Sequence, residues 1–338
     1  MILRTYSFEL PLEYPFGISR GTATVSRTLV VEVRSGDYAG YGEAGENGYY
    51  GVTIPAMKAR LDGLAEWLTT QEPQEPEKFW PLLFDRLQGD TFSLCAVDCA
   101  LHDLWGKLIG EPVWKRWGLK LANLPPSDYT IGIDRPEIML AKLRARPGWP
   151  VYKIKLGTEY DLEVVRLLRS ETDVPFRVDA NAAWTREEAA RKIEVLATLG
   201  VELVEQPLRP DDWEGARWLY ERSALPIIAD ESCRTVDDLP ACVGCFHGIN
   251  VKLVKCGGLT AAWHLISEAR KMGFRIMVGC MTESTIGISA AAQLLPLVDY
   301  ADLDGAVLLA QDLAEGVHVD MGQVIFPDRG GCGITPKF

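Results

Sequence analysis

The chain carries no excess of base, no long apolar run, no paired Cys-x-x-Cys motifs and only four histidines. Lys and Arg number 35 against 47 Asp and Glu, a net charge of −12, which excludes the basic face that nucleic acid requires. The longest nearly apolar stretch, Ile286 to Val298, is interrupted by Gln293 and falls short of the roughly 20 residues that span a bilayer. Met1-Ile-Leu-Arg-Thr-Tyr has no signal-peptide core, so a soluble, cytoplasmic protein without a membrane partner is expected. Eight cysteines are scattered singly, as reduced and buried thiols are, and not as a disulfide framework. Cys242-Val-Gly-Cys245 has neither a second such pair nor a histidine at zinc-finger spacing, so it predicts no metal. His102 and His264 fall in apolar helical stretches and predict core or surface positions. What remains is 47% apolar and 24% charged, the balance of a folded domain with a self-sufficient core.

Short β-rich runs begin at Tyr129, Tyr152, Phe176, Val201, Pro226, Ile249, Arg275 and Tyr300, at steps of 23 to 26 residues. Helix-period segments such as Asp161–Ser170, Arg186–Leu199, Asp212–Arg222 and Leu259–Met272 lie between them. Strand and helix alternating at this spacing predict βα units on a parallel sheet, and eight units in about 200 residues match a (β/α)8 TIM-type barrel. An open doubly wound sheet is the competing reading, but no G-x-G-x-x-G follows an early strand. Residues 1–120 read differently. Ile2–Glu13 and Thr28–Tyr41 alternate like antiparallel strands, Arg34-Ser-Gly-Asp37 signals a hairpin, and three helical runs follow. The expected organisation is an α+β domain over 1–120, a barrel over 121–317, and a Gly-rich tail (318–338) that returns to the first domain.

In a barrel of this kind, chemistry sits at the C-terminal strand ends. Those positions hold Lys153, Lys155, Asp179, Glu205, Asp230, Glu231, Lys252, Asp302 and Asp304, where a structural barrel would place apolar residues. Asp179, Glu205 and Asp230 come from consecutive strands. Two carboxylates about 4 Å apart repel by roughly 4 kcal/mol at an effective dielectric of 20, so three together call for a cation. All-oxygen ligands with room for substrate suit Mg²⁺ better than zinc. Lys153 and Lys155 point to one side of their strand, and the same alternation turns Lys252 inward and leaves Lys255 solvated. Strands two and six are opposed in a ring of eight, so a lysine stands on each side of the bound ligand. A metal on a substrate carboxylate stabilises the enediolate formed when the α-proton leaves. One base per face permits removal from one side and return from the other, which is inversion at the α-carbon.

Lys153-Ile-Lys155, Val178-Asp-Ala-Asn181, Val204-Glu-Gln-Pro207, Ala229-Asp-Glu-Ser232 and Asn250-Val-Lys252-Leu-Val-Lys-Cys-Gly-Gly258 resemble, in order and spacing, the enolase superfamily and its muconate-lactonising subgroup. The mandelate-racemase branch uses a late-strand histidine, and His247, His264 and His318 are not so placed. Within the subgroup, Tyr300-Ala-Asp302-Leu-Asp304-Gly resembles the Asp-x-Asp motif of dipeptide epimerases, which holds the substrate's α-ammonium. Gly279-Cys-Met281-Thr-Glu-Ser is similar to their seventh strand, with Met281 lining the pocket. Tyr14-Pro-Phe-Gly-Ile-Ser-Arg20-Gly resembles the capping loop of L-Ala-D/L-Glu epimerases, whose arginine contacts a side-chain carboxylate. By that resemblance Arg20 fits an acidic second residue, whereas Glu283, if inward, would favour a basic one.

The combined expectation is epimerisation of a dipeptide, L-Ala-D/L-Glu or a related one, at its C-terminal residue, with Lys155 and Lys252 as acid/base groups and Lys153 assisting electrostatically. Asp179, Glu205 and Asp230 hold one Mg²⁺ per subunit, supported by Asn181, Gln206 and Glu231. Asp302 and Asp304 take the amino terminus of a small-molecule dipeptide. Succinylbenzoate synthesis or cycloisomerisation uses the same metal and lysines without needing those two acids, and a non-catalytic barrel would need none of the set. The sequence leaves homo-oligomerisation open.

Overall fold

The computed structural model describes all residues from Met1 to Phe338. Strands β1 (Ile2–Ile18), β2 (Gly21–Ser35) and β3 (Tyr38–Gly45) form an antiparallel sheet in sequence order. Gly36, at φ 56°, makes the turn between β2 and β3 and so splits the stretch that alternates through Tyr41 into two strands. β1 does not stop at Glu13. After a register shift between Pro11 and Phe16 it runs on to Ile18 and pairs with the start of β2, making a two-stranded ribbon with its tip at Ser19 and Arg20.

Three helices follow, α1 (Ile54–Thr69), α2 (Pro76–Arg86) and α3 (Thr91–Ile109); α1 and α3 pack on the sheet and α2 packs on α3. Thr53 caps α1 by accepting from the Ala56 N–H, and Gly110, at φ 71°, closes α3 in the left-handed conformation that glycine tolerates. α3 is buried along nearly its whole length because it lies between the sheet and the rest of the molecule. Its backbone reaches β3 so closely that a Cβ on Gly40 or Gly42 would sit 2.1 or 2.0 Å from a helix carbonyl oxygen. The short α4 (Val113–Arg116) follows.

The next eight strands are parallel and neighbours in chain order: β4 (Tyr129–Ile131), β5 (Tyr152–Lys155), β6 (Phe176–Asp179), β7 (Val201–Glu205), β8 (Ile227–Ala229), β9 (Gly248–Val251), β10 (Arg275–Gly279) and β11 (Tyr300–Asp302). A parallel bridge between Ser127 and Ala301 joins the last strand to the approach of the first and closes the ring. Outside it lie α5 (Pro136–Ala145), α6 (Asp161–Arg169), α7 (Arg186–Thr198), α8 (Trp213–Tyr220), α9 (Leu239–Cys242), α10 (Leu253–Cys256), α11 (Leu259–Lys271) and α12 (Thr285–Ala292). Each longer helix buries one stripe against the strands, as Val164, Val165 and Leu168 do in α6. The barrel floor is a separate apolar plug of Leu203, Ile228 and Met277. No helix is long and apolar enough to cross a membrane.

One hydrophobic core of 81 residues runs through the sheet, its helices and the barrel, so the two parts are joined rather than tethered. Polar ties reinforce the joint: buried Glu43 of β3 accepts from the Ser284 hydroxyl and the N–H groups of Ser284 and Gly287 at the start of α12. After β11, short strands β12 (Ala314–Glu315), β13 (His318–Asp320), β14 (Gln323–Ile325) and β15 (Thr335–Pro336) carry the tail back. There the Cys332 N–H donates to Asp103 of α3, and the Phe338 ring packs near Tyr6, Phe8 and Tyr41.

Candidate active site

Parallel register brings the strand-end charges together. Lys155 pairs with Asp179 and Asp179 with Glu205 across β5, β6 and β7, so the three stand at one level of the barrel. Asp230 joins them from just beyond β8, and oxygens of Asp179, Glu205 and Asp230 all lie within 4.8 Å of one another. All three acids are buried. Such a trio is stable only with countercharge, and the chain supplies lysines. Lys155 Nζ lies 2.6 Å from Asp179 Oδ2, and Lys252 Nζ lies 2.7 Å from Asp230 Oδ2. Lys153 Nζ lies 2.6 Å from both Glu205 Oε2 and Asp302 Oδ2 and 3.6 Å from Asp179 Oδ2.

These neighbours shift proton affinities. Burial works against charge on Lys252, yet Asp230 and Glu205 hold its pKa well above that of free lysine. Burial, with Asp179 adding to it, lifts Glu205 to about 7, while Lys252 and Lys255 overcome burial and hold Asp230 well below the ordinary range.

Asn181, Gln206 and Glu231 sit at the turns just past the acids. Asn181 gives its backbone N–H and its side-chain amide to the two oxygens of Asp179. Gln206 Oε1 accepts from the N–H groups of Asp230 and Ser232, tying β7 to β8. Asn181 and Gln206 are held at φ 44° and 33°, a strained left-handed backbone that turns the chain outward while the side chains reach back.

A cavity of about 630 Å³ opens above this cluster, lined by Lys155 and Lys252 and, toward β11, by Asp302 and Asp304. Lys153 does not line it; it lies beneath, 1% exposed. Asp304 accepts from the Thr130 N–H at 2.5 Å, and burial together with Asp302 lifts its pKa to about 7. Asp302, paired with Lys153, is held at about 2 despite burial.

The β1–β2 ribbon forms the roof. It is pinned by the Ile133 N–H donating to Gly17 O at 2.7 Å, by Ser26 Oγ on Thr282 O at 2.6 Å, and at its tip by Ser19 and Arg20 on Asn181 O. Arg20 also lies 2.8 Å from Glu231, so its charge already has a partner. Met281 lines the cavity beside Asn47.

One expectation fails outright. Lys255 is not solvated but fully buried, donating to Asp230 Oδ1, Asp230 O, Cys233 O and Asn250 O. Strand alternation ends at Lys252, because the chain turns into α10 at Leu253 and carries Lys255 beneath Asp230. Glu283 does not point into the cavity. It accepts from the Met281 N–H within its own loop and packs against Gly287. Sequence reasoning missed Asn250, whose amide donates to Glu205 Oε1 at 2.8 Å, although its alternation with Lys252 was the signal. It also missed Tyr49, Tyr50 and Thr130 in the lining, which no local pattern marks.

Glu283 provides a pH test of the loop. Burial, then Glu43, lifts its pKa to about 8. A carboxyl raised in the fold adds stability that is complete below its unfolded pKa and is lost as pH rises through about 8. Glu283→Gln should therefore gain on wild type by a few kcal/mol between about pH 5 and pH 9. Melting curves at both ends check this; a constant gap between the two proteins would refute it.

Comparison with known proteins matches residues 3–118 to the family described as mandelate racemase / muconate lactonizing enzyme, N-terminal domain, and residues 138–338 to enolase C-terminal domain-like proteins. The chain is 45% identical over 335 residues to the L-Ala-D/L-amino acid epimerase of Flavobacterium johnsoniae, with 99% of each chain covered. It is 37% identical over 341 residues to the L-Ala-D/L-Glu epimerase of Bacteroides thetaiotaomicron, covering 99% of this chain and 88% of that one. Among solved structures it resembles the dipeptide epimerase of Cytophaga hutchinsonii complexed with Mg and D-Ala-L-Val. The TM-score is 0.93 at 26% identity, over 100% of this chain and 96% of that one.

Proposed function

The chain belongs to the mandelate racemase / muconate lactonizing enzyme family with its enolase-like C-terminal domain, and we propose that it epimerises L-Ala-containing dipeptides at the α-carbon of the second residue. The observation that carries this reading is a pair of lysines, Lys155 and Lys252, that face one cavity from opposed strands, flanked by three acids and faced by two more.

Asp302 and Asp304 take the ammonium of the first residue, each with a carboxylate already fixed from behind, by Lys153 and by the Thr130 N–H. That anchor sets the second α-carbon between the lysines. Lys155 Nζ withdraws a proton from one face and Lys252 Nζ returns one to the other, so the centre inverts. Lys153 stays protonated and neutralises Glu205 and Asp302. The β1–β2 ribbon keeps bulk water from the exposed carbon.

Asp179, Glu205 and Asp230 would hold Mg²⁺: three carboxylates on a rigid wall, oriented by Asn181 and Asn250, form a hard, all-oxygen donor set. When bound, Mg²⁺ draws electron density from the substrate carboxylate and so acidifies the α-proton. Asn181, Gln206 and Glu231 steady the acid-bearing turns.

The reading is tested with a pooled library of L-Ala-L-Xaa dipeptides, Mg²⁺ and D₂O, followed by mass spectrometry. A gain of one dalton at the second α-carbon is expected; no exchange in any member of the library would sink it. Asp304→Asn should raise KM for dipeptides by roughly 10- to 100-fold, the cost of one charged hydrogen bond, with kcat changed far less. An unchanged KM would remove Asp304 from the ammonium site.

A further inference from the structure

Outside the strand-end cluster, every charge that lines the cavity is half of a pair. Arg27 lies 2.8 Å from Glu9 and 3.9 Å from Glu46, and Arg20 Nη2 lies 2.8 Å from Glu231 Oε1. The second pair occupies the telling place. Glu231 follows Asp230 beyond β8, with its side chain only 2% exposed, and its other oxygen accepts no hydrogen bond. Arg20, at the ribbon tip, donates to Asn181 O at 2.9 Å and lies 4.3 Å over the Tyr49 ring. The pair therefore stands over β6 to β8, across the ring from β11 with Asp302 and Asp304. A dipeptide anchored at β11 by its amine extends its second side chain toward this pair.

We propose that the Arg20–Glu231 pair sets the substrate class. It keeps the second-residue pocket electrically neutral, so that uncharged second residues are favoured over acidic and basic ones. The inference rests on the dipeptide reading above. An incoming carboxylate must compete with Glu231 for Arg20 and is repelled by it. An incoming ammonium must compete with Arg20 for Glu231. A third charge thus meets a short dipole rather than a net charge, and loses its water without a free counter-ion. An uncharged side chain disturbs neither partner.

Removing one charge exposes the other, which makes the test directional. The Mg²⁺-loaded protein is given L-Ala-L-Glu, L-Ala-L-Gln and L-Ala-L-Lys, with kcat/KM read by α-proton exchange and affinity by calorimetry. Wild type should favour L-Ala-L-Gln. Glu231→Gln frees Arg20 and should raise the Glu-to-Gln ratio roughly tenfold; Arg20→Gln should raise the Lys-to-Gln ratio by a similar factor. The double variant should return to the neutral preference. Ratios within one variant cancel any shared loss of turnover, and Ser19 Oγ still holds Asn181 O at 3.1 Å when Arg20 is gone. A wild type that prefers L-Ala-L-Glu, or single variants whose ratios move less than about twofold or in the same direction, would overturn the proposal. Calorimetric ratios that invert without any exchange would uphold the pair and overturn the reaction. Exchange with unmoved ratios would do the reverse, and no dipeptide binding at all would overturn both.

Discussion

Lys155→Ala and Lys252→Ala are each expected to lose interconversion of the two epimers by about 10²- to 10⁴-fold, the usual worth of a positioned acid or base. Inversion needs both lysines, so either loss stops it. Exchange does not. The variant that keeps the base facing a given isomer's proton should still wash deuterium into that isomer and return it unchanged in configuration. The two variants should therefore show opposite isomer preferences in exchange. The fold tolerates both changes because each carboxylate keeps a second lysine: Asp179 has Lys153 at 3.6 Å, and Asp230 has Lys255 at 2.6 Å. Proton NMR in D₂O with each pure epimer reads exchange and inversion together. Full inversion by either variant would dismiss the two-base assignment.

The second large effect concerns a lysine that reaches no substrate. Lys153→Met should destabilise the protein by about 3–5 kcal/mol, as removal of one partner from a buried ion cluster does. Lys153 is 1% exposed and spans Glu205, Asp302 and Asp179, on β7, β11 and β6. Without it, Asp302 and Glu205 face each other's field with no cation beneath them. The pH dependence carries a sign. Asp302 is held at about 2, below its unfolded value, so its contribution is present above the unfolded pKa and is lost as pH falls through about 2. The deficit of Lys153→Met should be largest near neutrality and shrink below about pH 4. Chemical denaturation across that range measures it. A variant as stable as wild type at pH 7 would mean that Lys153 is not the cluster's counter-ion.

The barrel and most of its chemistry are legible in the chain because both rest on local periodicity. A strand followed by a helix at a step near 25 residues makes a parallel sheet, eight such units in about 200 residues are the count of a closed ring, and two-residue alternation then decides which side chains point inward. The positions of Lys153, Lys155, Asp179, Glu205 and Asp302 follow from that rule. The rule fails where the strand does. Lys255 stands three residues past Lys252, yet lies buried because the backbone has already coiled into α10. Likewise, the capping segment around Phe16 is a paired ribbon rather than a loop. Its partners, Thr22 and Ala23, fall short of the alternating stretch that begins at Thr28.

The amino-acid sequence by itself determined the ring of strands, the acids and lysines at their ends, and the class of reaction such a set can support. Those properties depend on neighbours within a few residues and on a repeat whose spacing and count match a closed parallel ring. Tertiary structure alone decided how the charges are shared: Arg20 with Glu231, Lys153 beneath the cavity instead of in it, Glu43 on the start of α12, and Glu283 turned into its own loop. In the ion pairs and the Glu43 tie, the partners come from distant parts of the chain. Which oxygen meets which nitrogen is set by where the sheet and its ribbon dock on the barrel, and no local pattern encodes that distance.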